Sequence, residues 1–489
     1  MSDERESEPP VAVETPESAA VGVDEWVARS AQRREYSPGW RGDLERSAER
    51  VGWWPRLGLA AVAGLALPLL IGLNGFQLQV GINALLLAML AVGLNIAVGW
   101  AGLLDLGYIA FYGFGAYGYA LLSSNQLGSS GIHLSALVSV PIVMVAAAVL
   151  GLLVGLPSRR LIGDYLAIVT LFFGEAFVEF VNNVAPTKLG GPNGIVGLDQ
   201  FTAFGHQITT NKGYFILLVL LLVATLAVLH LLDTSRTGRA WRAVREDPLA
   251  AGLMTIPVNR VKLMAFSFGA VVGALAGTVF AAQQGAVFPT DFETQFLILI
   301  YAGLILGGAG SLAGAVVGAL VVSVVYDGFL RSPTQAGYIF YGLILLTLFV
   351  KLRPWRRLAG VLAATVVLGV ALHAFLNAVA ASAVAGGPQS SGWIADVVRD
   401  FVIVPANATR WGNIGYVVLI VLLIALVQTR GRARTLLIPP TLVLAASVWE
   451  ARLVAEPSIT RQILIGAILI VMMNARPEGL LGKKRVEVV

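Results

Sequence analysis

From about residue 57 to residue 474, long apolar runs alternate with short polar breaks. The runs predict membrane spans near 57–73, 78–99, 103–122, 134–157, 161–182, 213–232, 262–284, 294–310, 312–330, 337–350, 358–378, 413–429, 436–452 and 461–474. A helix crosses a bilayer with about 17–25 apolar residues. Backbone in lipid must satisfy its hydrogen bonds within the segment, so an open sheet is excluded. The pattern predicts an all-α polytopic membrane protein of about fourteen transmembrane helices. One of the glycine-rich pairs is also readable as a broken or re-entrant helix.

The polar first fifty residues interrupt this pattern. "MSDERESEPPVAVETPESAAVG" is rich in Glu, Ser and Pro, and such a composition cannot bury enough surface to fold. It lacks the basic-then-apolar order of a signal peptide. The chain thus divides into a disordered tail at 1–50, a core bundle at 51–330 with a charged loop at 234–260, an added set of spans at 331–457, and a last helix with a basic tail at 458–489.

Composition agrees with a membrane chain. Hydrophobic residues make up 57% and charged residues 13%, with a mean hydropathy of +0.77; soluble domains carry about 25% charged residues. Basic residues collect in cytoplasmic loops. Alternate breaks carry Arg159 and Arg160, the 234–260 loop, Lys351–Arg357, Arg430–Arg434 and Arg476–Arg485, while 123–133, 183–212, 285–293 and 379–412 are poor in Lys and Arg. This alternation puts both termini in the cytoplasm and explains the net charge of +5 without nucleic acid. The absence of Cys excludes disulfides and thiol chemistry, and four scattered His residues suggest no metal site. No cofactor is expected.

Several motifs carry less than they seem to. "GFGAYG" at Gly113–Gly118 matches a dinucleotide fingerprint, which has meaning only between a strand and a helix; here it lies in a span. Glycines at four-residue spacing, Gly269, Gly273 and Gly277, then Gly310, Gly314 and Gly318, instead let helices approach closely. No phosphate-binding P-loop occurs, so any ATP must be bound elsewhere.

Charge inside a span is costly and marks function by default. Asp105 has two readings, a pathway residue or a cap for the helix that starts beside it. Glu175 and Glu179 lie one turn apart on one face, as would suit a proton, a cation or a substrate amine, or a face turned to water. Asn95, Tyr108 and Asn183 complete the candidate pathway, which is expected to be mostly apolar. No nucleophile–base pair is visible, so an enzyme is not expected.

The loop "TSRTGRAWRAVREDPLAAGLMTIPVNRVK" places Arg236, Arg239, Arg242 and Arg245 at every third position. Asp247 followed by Pro248 is a helix start signal. The short helix should end before Pro257. A small-residue helix so displayed suits another protein's groove, whereas a merely orienting loop needs no second capped helix.

At these residues a resemblance emerges. "REDPLAAGLMTIPVNRVKLMAF" looks like the coupling loop of ABC importer permeases, with Glu246, Ala250, Ala251 and Gly252 in matching places beside Arg245 and Asp247. "GLLDLGYIAFYGFGAYGYALL", "GDYLAIVTLFFGEAF", "LGGPNGIVGL", "GALAGTVFAAQQGAVFPTDF", "LILGGAGSLAGAVVGA" and "RPEGLLG" resemble, in order, blocks of the LivM-type permeases of branched-chain amino acid importers. The resemblance implies ABC ATPase subunits docked on the loop, a second related permease and an external solute-binding protein. It also implies a place in the plasma (inner) membrane of a bacterium or archaeon. Two positions depart from the family pattern: Asp105 stands where Ser is usual and Glu179 where a basic residue is usual. The expected function is import of branched-chain or related amino acids. A urea or short-amide importer, and a proton- or cation-coupled secondary transporter using Glu175 and Glu179, remain open. "YGLILLTLFVKLRPW" also echoes "IGAILIVMMNARPEG", one on each side of the added spans.

Overall fold

The computed structural model describes residues 52–70, 72–126, 132–157, 163–184, 186–203, 206–331, 333–352, 355–386, 399–429, 431–453, 457–475 and 479–481. The tail at 1–50 and the basic residues Arg159, Arg160, Arg430, Arg476, Lys483, Lys484 and Arg485 lie outside them. The chain divides into Met1–Ala60 and Ala61–Val489; of the first unit only Gly52 and the opening turns of α1 (Trp53–Leu70) are described.

The second unit is helical. Its first part holds α2 (Gly75–Asn95), α3 (Tyr108–Leu122), α4 (Ala136–Gly155), α5 (Asp164–Asn183) and α6 (Asn211–Thr234). A hairpin of α7 (Arg236–Glu246) and α8 (Pro248–Leu253) leads into α9 (Val258–Gln284), α10 (Thr294–Gly307) and α11 (Leu312–Ser323). Beyond these come α12 (Pro333–Lys351), α13 (Trp355–Val379), α14 (Ala408–Gln428), α15 (Arg432–Val448) and α16 (Pro457–Ala475). Three helices end in a wider π turn: α2 at Ile96–Trp100, α11 at Val324–Phe329 and α15 at Trp449–Leu453.

Each predicted span overlaps one of these helices. Among the described residues, seven segments are long and apolar enough to cross a bilayer: 75–100, 136–155, 211–234, 258–284, 289–307, 312–329 and 355–379. The others fall short for local reasons. α3, for example, has 15 residues.

The core forms around α2 and α9. α2 is apolar on every side and buried from Ala84 through Asn95, as befits a helix wrapped by others. α9 packs across α3, α4 and α2. Small residues allow this: a Cβ at Gly277 would overlap the Tyr112 carbonyl, and one at Gly115 would overlap the Ala274 carbonyl. α10 and α11 form a similar hairpin, where Gly303 faces Ala319 and Gly318, and Gly307 faces Gly314. Backbones this close gain dispersion contacts that no larger side chain permits.

The helices after α11 also contact one another. Phe340 of α12 stacks on Trp449 with ring centres 4.1 Å apart, and the Tyr341 hydroxyl donates to Glu450 at 3.3 Å. α16 returns to α10, where Gln462 Nε2 donates to Gln295 Oε1 at 2.8 Å. The segment after it closes the end of α10: Leu480 N donates to Leu306 O at 2.8 Å and Leu481 N to Gly307 O at 3.0 Å. Those carbonyls are among the last four of a helix, which no intrahelical donor can reach.

Candidate functional site

The α7–α8 hairpin is built from local signals. Ser235 Oγ caps α7, accepting from Thr237 N at 3.2 Å. Gly238, Trp241 and Val244 face inward, leaving Arg236, Arg239 and Arg242 outside. Arg239 Nη1 donates to Thr234 O at 2.9 Å, and Arg242 pairs with the Asp233 carboxylate. Both cations sit at the C-terminal end of α6, where the helix dipole favours positive charge. Asp247 Oδ1 then caps α8, accepting from Leu249 N at 2.8 Å and Ala250 N at 3.1 Å, with Pro248 as first helical residue. Beyond α8, Thr255 takes φ of 65°, a backbone conformation a β-branched residue adopts only under constraint.

α8 presents an apolar surface to the outside. Leu249 is 82% exposed, Leu253 86% and Met254 77%, while Ala251 is buried. Gly252 is open as well: a Cβ there meets only Val258, at 3.9 Å.

α7 is fastened to the core at two points. The Trp241 ring is fully buried and stacks on Trp100 with centres 5.8 Å apart, while its Nε1 donates to Val261 O at 2.8 Å. Arg245 Nη1 donates to the carbonyl of Gly99, inside the π turn of α2, and lies against Gly310 in the α10–α11 turn. Asn95 joins the same knot, since its Oδ1 accepts from Gly310 N at 2.7 Å. One arginine thus meets the ends of three core helices.

The six predicted pathway residues do not share one site. Asn95 belongs to the knot. Asp105 is 1% exposed, and its Oδ1 accepts from Gly107 N at 3.0 Å, immediately before α3. Tyr108 is buried beside Gly93 and Gly273. On α5, Glu175 accepts from the Thr294 hydroxyl, and Glu179 accepts from Asn183 Nδ2 at 2.6 Å. These two carboxylates are exposed, and each is engaged by a different partner.

A cavity of about 550 Å³ opens elsewhere, bounded by α2, α10, the π turn of α11 and α16. Leu86, Leu299, Ile465 and Leu469 give it apolar walls, and none of the six predicted residues lines it. It lies at the end of the bundle where α2 begins and α9 finishes. A chain of side-chain amides from α2 and α9 leads to it and ends on Asp327. Gln283 Nε2 donates to Gln79 Oε1 at 3.1 Å, Gln79 Nε2 to Asn83 Oδ1 at 3.2 Å, and Asn83 Nδ2 to Asp327 Oδ2 at 3.3 Å. Ser323 Oγ donates to the same oxygen at 3.4 Å. Beside it, the Arg461 guanidinium carbon lies 5.2 Å from the centre of the Tyr326 ring.

A family profile described as branched-chain amino acid transport system / permease component matches residues 77–349. The chain belongs to this family. The match covers α2 through nearly all of α12, with the α7–α8 hairpin inside it. The high-affinity branched-chain amino acid transport system permease protein LivM of Escherichia coli (strain K12) is 37% identical over 292 residues, 55% of this chain and 66% of that protein. The chain therefore spans just under two thirds of that relative. LivH of Salmonella typhimurium is 28% identical over 257 residues, 48% of this chain and 79% of LivH. The probable LivM of Methanocaldococcus jannaschii is 27% identical over 286 residues, 52% of this chain and 80% of that protein. No solved structure matches. A permease family and a set of long apolar helices together make this an integral membrane protein.

Sequence reading missed Asp327, Asn83 and Arg461. A signal was present for the first: Asp327 interrupts the apolar run 312–330, which the intramembrane-charge rule marks. Arg461, at the start of a span, reads as an interfacial charge. Only folding brings it beside residue 326.

Proposed function

We propose that the chain is the permease subunit of an ABC importer for branched-chain or related amino acids, driven by ATP hydrolysis on partner subunits. It works in the plasma (inner) membrane with both termini in the cytoplasm, beside a second related permease and an external solute-binding protein. It hydrolyses nothing itself. The observation that carries the reading is α8: a capped helix with Leu249, Leu253 and Met254 exposed, fastened through Arg245 to the core. Burying one such side chain in a partner's groove contributes about 1.5–3 kcal/mol. Nucleotide on the partners then biases the bundle between outward and inward states, which requires several kcal/mol of differential binding.

The relatives support the solute and the pairing. Those named above are branched-chain amino acid permeases, which favours these solutes over urea or short amides. Similarity to both LivM and LivH of Salmonella typhimurium supports assembly with a related second permease. Nothing in the geometry of Glu175 and Glu179 favours a proton- or cation-coupled mechanism.

Gly252→Trp tests the reading. The site is open, so the bundle should fold and insert normally, while the indole blocks docking. ATP-dependent leucine uptake by the reconstituted complex should fall to background. Uptake at the unsubstituted rate would remove α8 from the docking role.

A further inference from the structure

We propose that the cavity between α2, α10, α11 and α16 binds the zwitterionic head of an α-amino acid, Asp327 taking the ammonium and Arg461 the carboxylate. The inference rests on the transport reading and adds to it the groups that recognise the solute.

The amide chain has a direction. Gln283 donates to Gln79, Gln79 to Asn83 and Asn83 to Asp327, so each dipole points its positive end toward the carboxylate. Chains of this sense reinforce one another and favour an anion at their terminus. With the Ser323 donor they meet one oxygen, Oδ2, and Asp327 itself lines the cavity. The cations Arg461 and Arg331 act on this carboxylate from beside it; a substrate ammonium would meet it from the cavity.

Arg461 provides the complement. Its Nε is buried and finds no hydrogen-bond partner among the described residues, so a substrate carboxylate would meet a donor still able to bond. A guanidinium takes a carboxylate through two parallel N–H bonds, a geometry no ammonium offers. Its carbon lies over Tyr326, the residue before Asp327, so the two charges border the same place from α11 and α16. Gln462, next to Arg461, bonds Gln295 of α10 and steadies this edge. Two other carboxylates line the cavity: Asp291, which accepts from Phe288 N at 3.0 Å, and Glu293, which is exposed. Leu86, Leu299, Ile465 and Leu469 are left to receive an apolar side chain. A volume of about 550 Å³ lies within the roughly 300–1,000 Å³ of small-molecule pockets.

The test uses the full chain in lipid nanodiscs and equilibrium binding of tritiated L-leucine. Leucine should bind. Leucinamide, which keeps the ammonium but not the carboxylate, and N-acetylleucine, which keeps the carboxylate but not the ammonium, should each compete at least about tenfold more weakly. Asp327→Asn should weaken leucine about tenfold or more yet leave N-acetylleucine competition unchanged, and Arg461→Gln should do the same with leucinamide unchanged. Either analogue competing as well as leucine, or no leucine binding at all, overturns the proposal without recourse to any variant. ATP-dependent uptake by the complex is scored separately: if it persists while binding shows no zwitterion preference, this inference falls and the importer reading stands.

Discussion

The Arg245 guanidinium is one of the two points that fasten the charged hairpin to the core, beside the buried Trp241. Its acceptor is the Gly99 carbonyl, in a π turn where the regular i to i−4 ladder is broken and a carbonyl can turn outward. Leaving that buried carbonyl unpaired costs about 1–3 kcal/mol. Arg245→Ala should therefore keep the partners bound, through α8, while loosening what α8 moves. ATP hydrolysis by the assembled complex should continue with leucine uptake reduced at least about tenfold. Arg245→Lys should rescue little, because an ammonium lacks the planar fork. Equal uptake by all three would show that the bond transmits nothing. The same scale explains what the sequence disclosed. The Asp247 cap was legible because its partners are two and three residues away, whereas the Asp327 cluster joins Gln79, Asn83 and Gln283 across hundreds of positions.

Among the elements, α8 is exposed on the face that carries Leu249 and Leu253. Leu249→Ser with Leu253→Ser removes apolar surface without touching the Asp247 cap, so the ATPase should no longer co-purify in detergent while the permease itself remains monodisperse. Retained co-purification would place the docking surface elsewhere. α2 deserves the same scrutiny as a rod. It lines the cavity through Asn83 and Leu86 and meets Arg245 at Gly99, a separation of about 24 Å at 1.5 Å per residue. Its all-round apolar pattern announced a buried helix. The π turn was not announced, because widening a helix depends on what packs around it.

For the whole molecule, the apolar runs located the helices, since lipid leaves a chain few alternatives, and among the described residues seven segments are long and apolar enough to span alone. They also left an ambiguity. The α12 and α16 regions share a signature of Gly, an apolar stretch and Arg-Pro, and the family match runs through α12 to residue 349. In three dimensions α16 takes the place against α10, and its following segment closes that helix. Sequence similarity alone cannot choose between two copies of one signal. The cysteine-free chain offers a clean test: Gln295→Cys paired with Gln462→Cys should be joined by a short bifunctional maleimide, and Gln295→Cys paired with Thr347→Cys should not. The reverse result would seat α12 in the core.

The closure of α10 by Leu480 and Leu481 also sets an order in time. A nascent chain that has just passed Lys351 already contains the whole family-matched stretch, yet the last carbonyls of α10 are still uncovered. Roughly 130 more residues must leave the ribosome before their partners exist, a wait on the order of ten seconds at ordinary rates of synthesis. Through that interval α12 to α15 are made first and the core is sealed last, so the surface that will receive α16 must be kept from closing on α12, which carries the same signature of Gly, an apolar stretch and Arg-Pro.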